Sequence, residues 1–320
     1  MTILIEADRL SKSFGPIRAV DEISLQVAKG EVLGFLGPNG AGKSTTMKLL
    51  TGFLEPDSGT ARVCSFNVSE QPKAAKACLG YLPEGAPAYG DMTARGFLDF
   101  IAEIRGFEGT AKARRIATAV ERTGLEGVLG QRIDTLSKGY KRRVGLAQAI
   151  LHDPAVLIMD EPTDGLDPNQ KHHVRQLISE MAHDKAIIVS THILEEVEAV
   201  CTRAVVIDRG RIVANGTAED LQRRMPYHNA VAIRVDAGRA DAVAGALSSL
   251  GRVAKVERLP AANGHVQLRA LPRNGETIAG DVAALLRDKS ITVEEMFVER
   301  GKLDDVFRQI TTSDVGGGHA

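Results

Sequence analysis

The chain has 320 residues and a mass of 34.2 kDa, and at about 100 to 200 residues per domain this length excludes one small domain and predicts two or three compact units. Hydrophobic residues make up 43% and charged residues 25% of the sequence, which is typical of a folded globular protein and excludes a disordered chain. Lys and Arg number 40 and Asp and Glu 41, so no general charge attracts nucleic acid or an anionic membrane surface. We therefore expect no nucleic acid partner.

No stretch of the sequence has the features of a membrane-spanning or secretory segment. Apolar runs such as 156–159 are far shorter than the roughly 18 residues of a membrane helix. The N-terminus lacks the basic start and the long apolar core of a signal peptide, so we expect a cytosolic protein. Cys64, Cys78 and Cys201 lack the spacing of a metal site or a disulfide framework, which favours buried free thiols.

The N-terminal part begins with predicted short strands at 3–7 and 23–27. An apolar run at 31–36 follows, and it stops at a cluster of Gly, Pro and Asn. From Lys43 onward the apolar spacing predicts a helix that ends at Gly52. This segment is therefore predicted as strand, glycine-rich loop and helix.

Strand signals vanish between about residues 84 and 153, where helical spacing predicts a helical insert. The predicted helices of this insert cover 97–104, 111–123 and 138–152. Continuous apolar runs follow, and helical segments separate them. These runs lie at 156–159, 186–189 and 204–207. Such runs are typical of strands that are buried on both faces of a mostly parallel sheet, which predicts an α/β fold.

The pattern changes after a charged stretch, which predicts a linker near residues 217–228. The elements after it have the order strand, helix, strand, strand, helix, strand, that of a ferredoxin-like sandwich. They cover 231–235, 240–250, 253–259, 265–271, 277–287 and 291–297, and a further helix covers 303–310. We expect a small α+β accessory domain at 226–315 and a mobile tail at 316–320.

The segment GPNGAGKS at 37–44 fits the phosphate-binding pattern in which two glycines flank four residues and Lys and Ser follow. The glycines let successive backbone N–H groups turn toward phosphate oxygens, and the N-terminus of the next helix adds positive potential. Lys43 should reach the β and γ phosphates, and the Ser44 hydroxyl should ligate Mg²⁺. The predicted strand before the loop and helix after it disfavour a mere glycine turn.

The acidic pair Asp160 and Glu161 ends the apolar run at 156–159. Ligands of α/β sheets gather at the carboxyl ends of the strands. Asp160 would therefore hold Mg²⁺, and Glu161 would orient or deprotonate the water that attacks the γ phosphate. An Asp-Glu pair alone is usually a solvated turn, so this prediction depends on the accompanying phosphate loop.

The ordered set of motifs strongly resembles the ATP-binding subunits of ABC transporters over residues 3–220. These motifs are GPNGAGKST at 37–45, LSKGY at 136–140, DEPT at 160–163, GLD at 165–167 and STH at 190–192. The segment 136–149, with YLPE at 81–84, is similar to export-type subunits of the gliding-motility kind and to those implicated in copper-site maturation and drug export. The resemblance implies a P-loop ABC-type ATPase domain at 1–220 with a helical subdomain at about 84–153.

The resemblance also implies that Ser137 and Gly139 form a signature loop that closes over the γ phosphate of ATP bound to a partner subunit. Ser137 is a favoured N-cap before the helix predicted at 138–152, so this helix end is a second anion site; a simple surface cap is the alternative. Each chain thus carries two half-sites for one triphosphate. A two-fold pair would complete both, so we expect a homodimer around two ATP molecules.

Three further roles come from the resemblance. His192 would contact the γ phosphate, Asp167 would lie in a loop that crosses the dimer interface, and Phe14 would stack on adenine. A structural histidine, a turn-forming aspartate before Pro168 and a core phenylalanine remain the alternatives. The predicted nucleotide-binding residues are Phe14, Gly37, Pro38, Asn39, Gly40, Ala41, Gly42, Lys43, Ser44, Thr45, Ser137, Gly139 and Asp167. The predicted catalytic residues are Lys43, Glu161 and His192, and the predicted metal ligands are Ser44, Glu84 and Asp160.

The sequence departs from the family pattern at two places. The family usually has Gln where Glu84 stands, and that residue senses Mg²⁺ and the membrane partner; a carboxylate keeps an oxygen ligand but adds negative charge. Lys138 and Tyr140 replace the Gly and the Gln of the common signature, whereas Ser137 and Gly139 are retained.

These features together predict an ATPase that drives substrate export through separate multi-span permease subunits, at the cytoplasmic face of the membrane. The resemblance implies a docking surface in the helical insert near residues 84–100. A soluble ABC-type ATPase acting on ribosomes or DNA is one alternative, but such proteins carry paired cassettes or long coiled coils, and this chain has one phosphate loop. A regulatory module that binds ATP without hydrolysing it is another, which Glu161 and His192 disfavour. The sequence does not specify the transported substrate.

Overall fold

The structure is a computed structural model that describes residues 2–86, 88–260 and 264–312, with side chains through residue 308. It divides into two compact units, Met1–Gly216 and Thr217–Ala320. The tail predicted at 316–320 lies outside the described residues. Within these described ranges, no helix has both the length and the apolar character needed to cross a membrane.

The first unit alternates strands and helices. Its strands are β1 (Ile3–Phe14), β2 (Ile17–Ala28), β3 (Val32–Leu36), β4 (Ser58–Val63), β5 (Phe66–Asn67), β6 (Leu79–Leu82), β7 (Val156–Asp160), β8 (Ala186–Thr191), β9 (Arg203–Asp208) and β10 (Arg211–Gly216). Its helices are α1 (Lys43–Leu50), α2 (Pro72–Ala77), α3 (Ala94–Ile104), α4 (Gly109–Thr123), α5 (Lys138–Ile150), α6 (Pro168–Ala182) and α7 (Leu194–Val200).

A six-stranded sheet with the order β10-β9-β3-β8-β7-β6 forms the centre of this unit. All neighbouring strands are parallel except β9 and β10. Every residue of β3, β7 and β8 is buried. Successive residues of β7, such as Leu157 and Ile158, enter different hydrophobic cores, because side chains alternate between the two faces of a strand. The predicted parallel sheet, covered on both faces, is therefore confirmed.

A second, antiparallel sheet has the order β2-β1-β4-β5. The strands predicted at 3–7 and 23–27 are much shorter than β1 and β2, which pair from Ile3 to Phe14. The pairing contains register shifts, and Arg9 and Glu22 have positive φ angles of 45° and 52°. These irregularities break the regular apolar alternation from which strand length was predicted.

The segment between 84 and 153 is helical. Its described residues form α3, α4 and α5, two short 3₁₀ helices and one isolated bridge between Thr93 and Arg132. Thr93 caps α3 by accepting the N–H of Gly96 at 3.0 Å. The apolar faces of the three helices meet in a buried core that includes Leu98, Ile116 and Val144. The helical insert is therefore confirmed.

The second unit contains α8 (Ala218–Gln222), β11 (Ala230–Asp236), α9 (Ala240–Ser248), β12 (Val253–Pro260), β13 (His265–Pro272), α10 (Ala279–Asp288), β14 (Glu295–Glu299) and α11 (Leu303–Thr312). Its antiparallel sheet has the order β12-β13-β11-β14. Its centre follows the predicted order strand, helix, strand, strand, helix, strand. The ferredoxin-like arrangement is therefore confirmed.

Two predicted elements of the second unit differ from the structure. The linker predicted at 217–228 contains α8, because Thr217 and Asp220 form a reciprocal capping box and Leu221 is buried. The extended segment predicted at 291–297 pairs only from Glu295 onward, because Ile291 and Val293 pack against the core without joining the sheet.

Candidate active site

The loop between β3 and α1 depends on its glycines. Gly40 and Gly42 have φ angles of 81° and 105°, in the left-handed region that favours glycine. A Cβ on Gly42 would lie 2.3 Å from the carbonyl oxygen of Ala19, and one on Gly37 would lie 2.6 Å from that of Ile207. The glycines therefore allow a sharp turn that lies against neighbouring backbone and leads directly into α1.

Lys43 is the first residue of α1 and is buried. Its Nζ donates hydrogen bonds to the carbonyl oxygens of Gly37 at 2.7 Å and Pro38 at 3.1 Å. Burial lowers the pKa of this ammonium, and nearby carboxylates, first that of Glu161, partly offset the lowering. The side chain thus lies across the loop that it follows, where a phosphate could replace the two carbonyl oxygens.

A cavity of about 280 Å³ lies in front of this loop. It brings together the phosphate loop, the turn after β6 and the acid after β7. Its lining residues are Ala19, Asn39, Gly40, Gly42, Lys43, Ser44, Thr45, Glu84 and Glu161. Residues distant in sequence therefore meet in one site at the carboxyl ends of parallel strands, as the sequence predicts.

Asp160 ends β7 and is almost fully buried, with 1% exposure. The Ser190 hydroxyl, from the neighbouring residue of β8, donates a hydrogen bond to Asp160 Oδ1. The other carboxylate oxygen, Oδ2, is buried and has no hydrogen-bond partner among the residues that the structure describes. Because a buried carboxylate oxygen without a partner is costly, and because Mg²⁺ prefers oxygen ligands, Asp160 Oδ2 fits a metal ligand.

Glu161 adopts a positive φ of 50°, which is unfavourable for a residue with a side chain. Its N–H donates to the carbonyl oxygen and to the hydroxyl of Ser190, both at 3.1 Å. Its carboxylate Oε1 lies 3.1 Å from Nδ1 of His192, which directly follows β8. The structure therefore places the candidate base and His192 in hydrogen-bond contact, with the carboxylate at the cavity.

A buried carboxylate joins the loops that follow β7 and β8. Glu196 of α7 accepts hydrogen bonds from the hydroxyl of Thr163 and, at 2.9 Å, from that of Thr191. Lys171 Nζ lies 3.8 Å from the same carboxylate. Thr163 is two residues after Glu161, and Thr191 directly precedes His192, so Glu196 fixes the two loops that carry these residues.

Comparisons with known proteins identify the family. A family model described as ABC transporter matches residues 20–164. The Nod factor export ATP-binding protein I of Paraburkholderia xenovorans is 40% identical over 218 residues, which are 68% of this chain and 72% of that protein. The chain belongs to the ABC transporter family. Its ABC domain is therefore an ATP-binding and ATP-hydrolysing unit with the predicted P-loop fold.

Other ABC proteins agree with this assignment. The linearmycin resistance ATP-binding protein LnrL of Bacillus subtilis is 34% identical over 251 residues, 78% of this chain and 80% of that protein. A solved structure of an ATP binding subunit of an ABC transporter is 31% identical, with a TM-score of 0.65 over 69% of this chain and 92% of that chain. A dimeric bacterial ABC transporter cassette matches with a TM-score of 0.63 over 67% and 98% of the two chains. The two chains are 20% identical in sequence, so this match shows a shared fold.

In this ABC subunit, the signature residues and Asp167 lie at two helix N-termini. Ser137 caps α5 by accepting the N–H of Tyr140 at 3.4 Å, and Asp167 caps α6 by accepting that of Gln170 at 2.9 Å. Gly139 lies beside the side chain of Gln170, and a Cβ on this glycine would come within 2.6 Å of Gln170 Oε1. Ser137, Gly139 and Asp167 are not among the described residues that line the cavity.

Phe14 lies at the end of β1 and is 48% exposed. Lys12 Nζ lies 6.0 Å from the centre of its ring. Phe14 is therefore not a core residue in this ABC subunit, and its exposed ring is available for stacking. It does not line the cavity, so its contact with adenine stays a prediction.

Sequence reasoning missed the groups that orient the predicted residues of the ABC site. Ser190, Glu196 and Arg142 are buried polar residues in contact with the loops that carry Asp160, Glu161 and His192. Ser190 lies within a family motif and Arg142 within the signature helix, but no local pattern indicates what their side chains contact. Only the pairing of strands and the packing of α5 and α7 bring them to the site.

Proposed function

We propose that this chain is the ATP-hydrolysing subunit of an exporter, that it pairs with a second copy around two ATP molecules, and that it works with separate permease subunits at the cytoplasmic face of the membrane. The observation that carries the proposal is the single cavity at which the phosphate loop, Glu84 and Glu161 meet, with His192 bonded to Glu161. The Nod factor and linearmycin resistance relatives, both named as ATP-binding proteins, support a transport role.

In the proposed mechanism, the backbone N–H groups of the phosphate loop and Lys43 bind the β and γ phosphates. Lys43 exchanges its two carbonyl acceptors for phosphate oxygens, so its ammonium group keeps hydrogen-bond acceptors throughout. Glu161 Oε1 takes a proton from the attacking water, and His192 holds this carboxylate in position through its 3.1 Å contact. In the proposed dimer, Ser137 and the start of α5 face the nucleotide that is bound to the partner subunit.

Mg²⁺ fits the residues of the site, and Asp160, Ser44 and Glu84 would hold it. The orphaned Oδ2 of Asp160 supports this set, and Ser44 and Glu84 line the same cavity. Bound there, the metal supplies neutralisation of negative charge on the phosphate oxygens. Glu84 in place of Gln adds one negative charge, which strengthens the attraction for a divalent cation.

The position of the signature residues supports the homodimer. Ser137, Gly139 and Asp167 lie outside the cavity of their own chain, so they are free to act on a nucleotide bound elsewhere. The first turn of a helix carries positive potential that attracts an anion, and α5 begins directly after Ser137. A two-fold pair would bring each α5 to the cavity of the other copy and complete two sites.

An apolar groove supports docking of a permease subunit. Its volume is about 790 Å³, and Phe53 and Ile104 within it are 71% and 64% exposed. Three basic side chains, those of Lys73, Lys76 and Arg105, lie beside the apolar residues. The lining includes Phe53, Lys73, Lys76, Tyr81, Ile101, Ile104 and Arg105. We infer that this groove receives a cytoplasmic helix of the permease, and that this helix carries apolar residues and at least one acidic residue. The groove lies close to the docking surface expected near 84–100.

The Glu161→Gln variant tests the proposed function. It keeps the phosphate loop intact, so it should bind ATP, but its kcat should fall by at least about a hundredfold because the base is lost. Sedimentation velocity with Mg²⁺ and ATP should reveal a stable dimer. Lys43→Ala is the matched control and should form no ATP-dependent dimer. A Glu161→Gln protein that hydrolyses ATP at the wild-type rate, or a wild-type protein active only as a monomer, would contradict the proposal.

A further inference from the structure

Arg142 of α5 joins two loops of the site. The residue is buried, with 5% exposure. Its Nη1 donates a hydrogen bond to the carbonyl oxygen of Pro83 at 3.1 Å, and its Nη2 donates one to the carbonyl oxygen of Glu161. Pro83 directly follows β6 and precedes Glu84, whereas Glu161 directly follows β7. One guanidinium therefore connects the turn that carries Glu84 to the backbone of the candidate base.

The backbone of Glu161 needs such support. Its φ of 50° lies in the left-handed region, which is unfavourable for a residue with a side chain, so surrounding contacts must maintain it. Ser190 holds the N–H of Glu161, and its carbonyl oxygen accepts hydrogen bonds from Arg142 and, at 3.1 Å, from the N–H of Asp164. Arg142 is the contact that ties this carbonyl oxygen to the turn after β6, so its loss would weaken the hold on the peptide and let the carboxylate shift.

The charge around Arg142 matches this role. Burial lowers the pKa of the guanidinium, and neighbouring carboxylates oppose the lowering. These carboxylates are those of Asp164, Asp160, Glu161 and Glu84. An arginine remains cationic in such surroundings and offers several donors in a planar fork. A lysine would keep the charge, but its single ammonium is poorly suited to span two carbonyl oxygens in different loops.

The Pro83 end of this connection lies at the surface proposed for the permease. A second cavity of about 480 Å³ is lined by Tyr81, Pro83, Tyr89 and Phe97, together with Ile101 and Arg105, which also line the larger groove. A helix that occupies this surface would therefore contact the turn to which Arg142 is bonded.

We propose that Arg142 is a positioning residue that couples the turn at residues 83–86 to the backbone of Glu161, so that docking of a permease changes the orientation of the catalytic carboxylate. This inference rests on the proposed function, in which Glu161 is the base and the turn faces the permease. In this proposal α5 has two roles: its N-terminus, capped by Ser137, faces a phosphate, and Arg142 connects the two loops.

The first test compares Arg142→Lys with Arg143→Lys. Arg143 lies on the same helix and also donates to backbone carbonyl oxygens, chiefly that of Gly124 at 2.9 Å. Its other recorded contact in the described part of the chain is with the ring of Tyr140, so it contacts neither loop of the site there. In Arg142→Lys, kcat for ATP should fall between about tenfold and a hundredfold, because the carboxylate is misplaced, while KM changes by less than about twofold. Arg143→Lys should stay within about twofold of the wild type in both constants.

Hydrogen exchange supplies a readout that does not depend on activity. The N–H of Ala86 bonds to the carbonyl oxygen of Pro83 at 3.1 Å, and that of Glu161 bonds to Ser190. In Arg142→Lys, exchange should become faster in both segments together. Faster exchange in one segment alone, or a kcat equal to that of the wild type, would overturn the coupling.

A charge-balanced double variant distinguishes two roles of Arg142, the connection of the two loops and the neutralisation of nearby carboxylates. It also provides a test if Arg142→Lys does not fold. Glu84→Gln with Arg142→Gln removes one negative and one positive charge but leaves the two loops unconnected. We expect its kcat to lie at least about tenfold below that of Glu84→Gln alone. Equal kcat values would show that Arg142 only balances charge and would overturn the proposal. A wild-type chain without ATPase activity would instead refute the proposed function.

Discussion

Ser190 contacts both of the acidic residues that follow one another at the end of β7. Its hydroxyl donates to Asp160 Oδ1, and its carbonyl and hydroxyl oxygens accept the N–H of Glu161. One small residue thus binds Asp160 Oδ1, leaves Oδ2 to other ligands, and holds the backbone of Glu161. The predicted metal ligand and the predicted base thus both depend on contacts with Ser190.

A buried histidine gives a prediction about pH. Burial, and next the charge of Arg105, lower the pKa of His152 to about 4 from 6.5. Its Nε2 lies 3.0 Å from the carbonyl oxygen of Leu79, which the neutral ring can satisfy as a donor. As pH falls below the unfolded value, the unfolded chain binds a proton that the folded protein does not take up until about 4. Stability is therefore lost progressively across this window.

His152→Gln should reduce this loss. The free energy of unfolding, measured by urea titration at about pH 8 and about pH 5, should fall less steeply in the variant than in the wild type. His172→Gln, at an exposed position of α6, is the control and should follow the wild-type slope. Identical slopes for the His152 variant and the wild type would contradict the assignment.

The arrangement of whole elements explains why the predicted catalytic residues meet. β7 and β8 are parallel neighbours with Asp160 opposite Ser190, so the loops after them start side by side. Glu196 near the start of α7 then bonds to Thr163 in the loop after β7 and to Thr191 at the end of β8. The strands bring Glu161 and His192 into proximity, and α7 sets the distance between them.

Glu196→Gln tests this arrangement. The amide offers one acceptor oxygen in place of two, so one of the two buried threonine hydroxyls loses its acceptor, at a cost of about 1 to 3 kcal/mol in the free energy of unfolding. We expect kcat to fall by roughly tenfold while ATP affinity is retained. Chemical denaturation and steady-state ATPase assays measure the two effects.

Glu195→Gln is the matched control for this variant. Glu195 is the preceding residue of α7 and is exposed, so the same chemical change there should leave stability and kcat close to the wild type. If the two variants behave alike, Glu196 does not connect the loops in the way that its contacts indicate.

At the scale of the whole molecule, the two units have separate hydrophobic cores. The cores of the first unit draw on residues between Ile5 and Ile207, and that of the second on residues between Val231 and Val293. We propose that each unit is a domain that unfolds cooperatively on its own. A ligand stabilises only the unit that binds it.

Calorimetry of the full chain tests this proposal. Two thermal transitions are expected, and ATP should raise the Tm of one of them while the other stays unchanged. In Lys43→Ala both transitions should remain, and neither should respond to ATP. One transition that accounts for all of the unfolding heat and shifts as a whole would indicate a single cooperative unit.

Local patterns were enough to predict much of this protein. The continuous apolar runs at 156–159 and 186–189 predict buried parallel strands, because a strand covered on both faces has no polar side. The spacing of glycine, lysine and serine at 37–44 predicts a phosphate loop, because glycines at these positions let several backbone N–H groups turn toward one anion. Both signals lie within a few residues, so the linear sequence contains them in full.

The tertiary structure alone decided which polar side chains orient the site. Arg142 is separated from Glu161 by 19 positions and from Pro83 by 59, and Glu196 lies 33 positions from Thr163. Contacts over such separations form only after strands pair and helices pack, and no periodicity in the chain records them. The sequence by itself determined the chemical groups and the loops that carry them, whereas folding determined how those groups are held, because orientation depends on neighbours that only packing brings together.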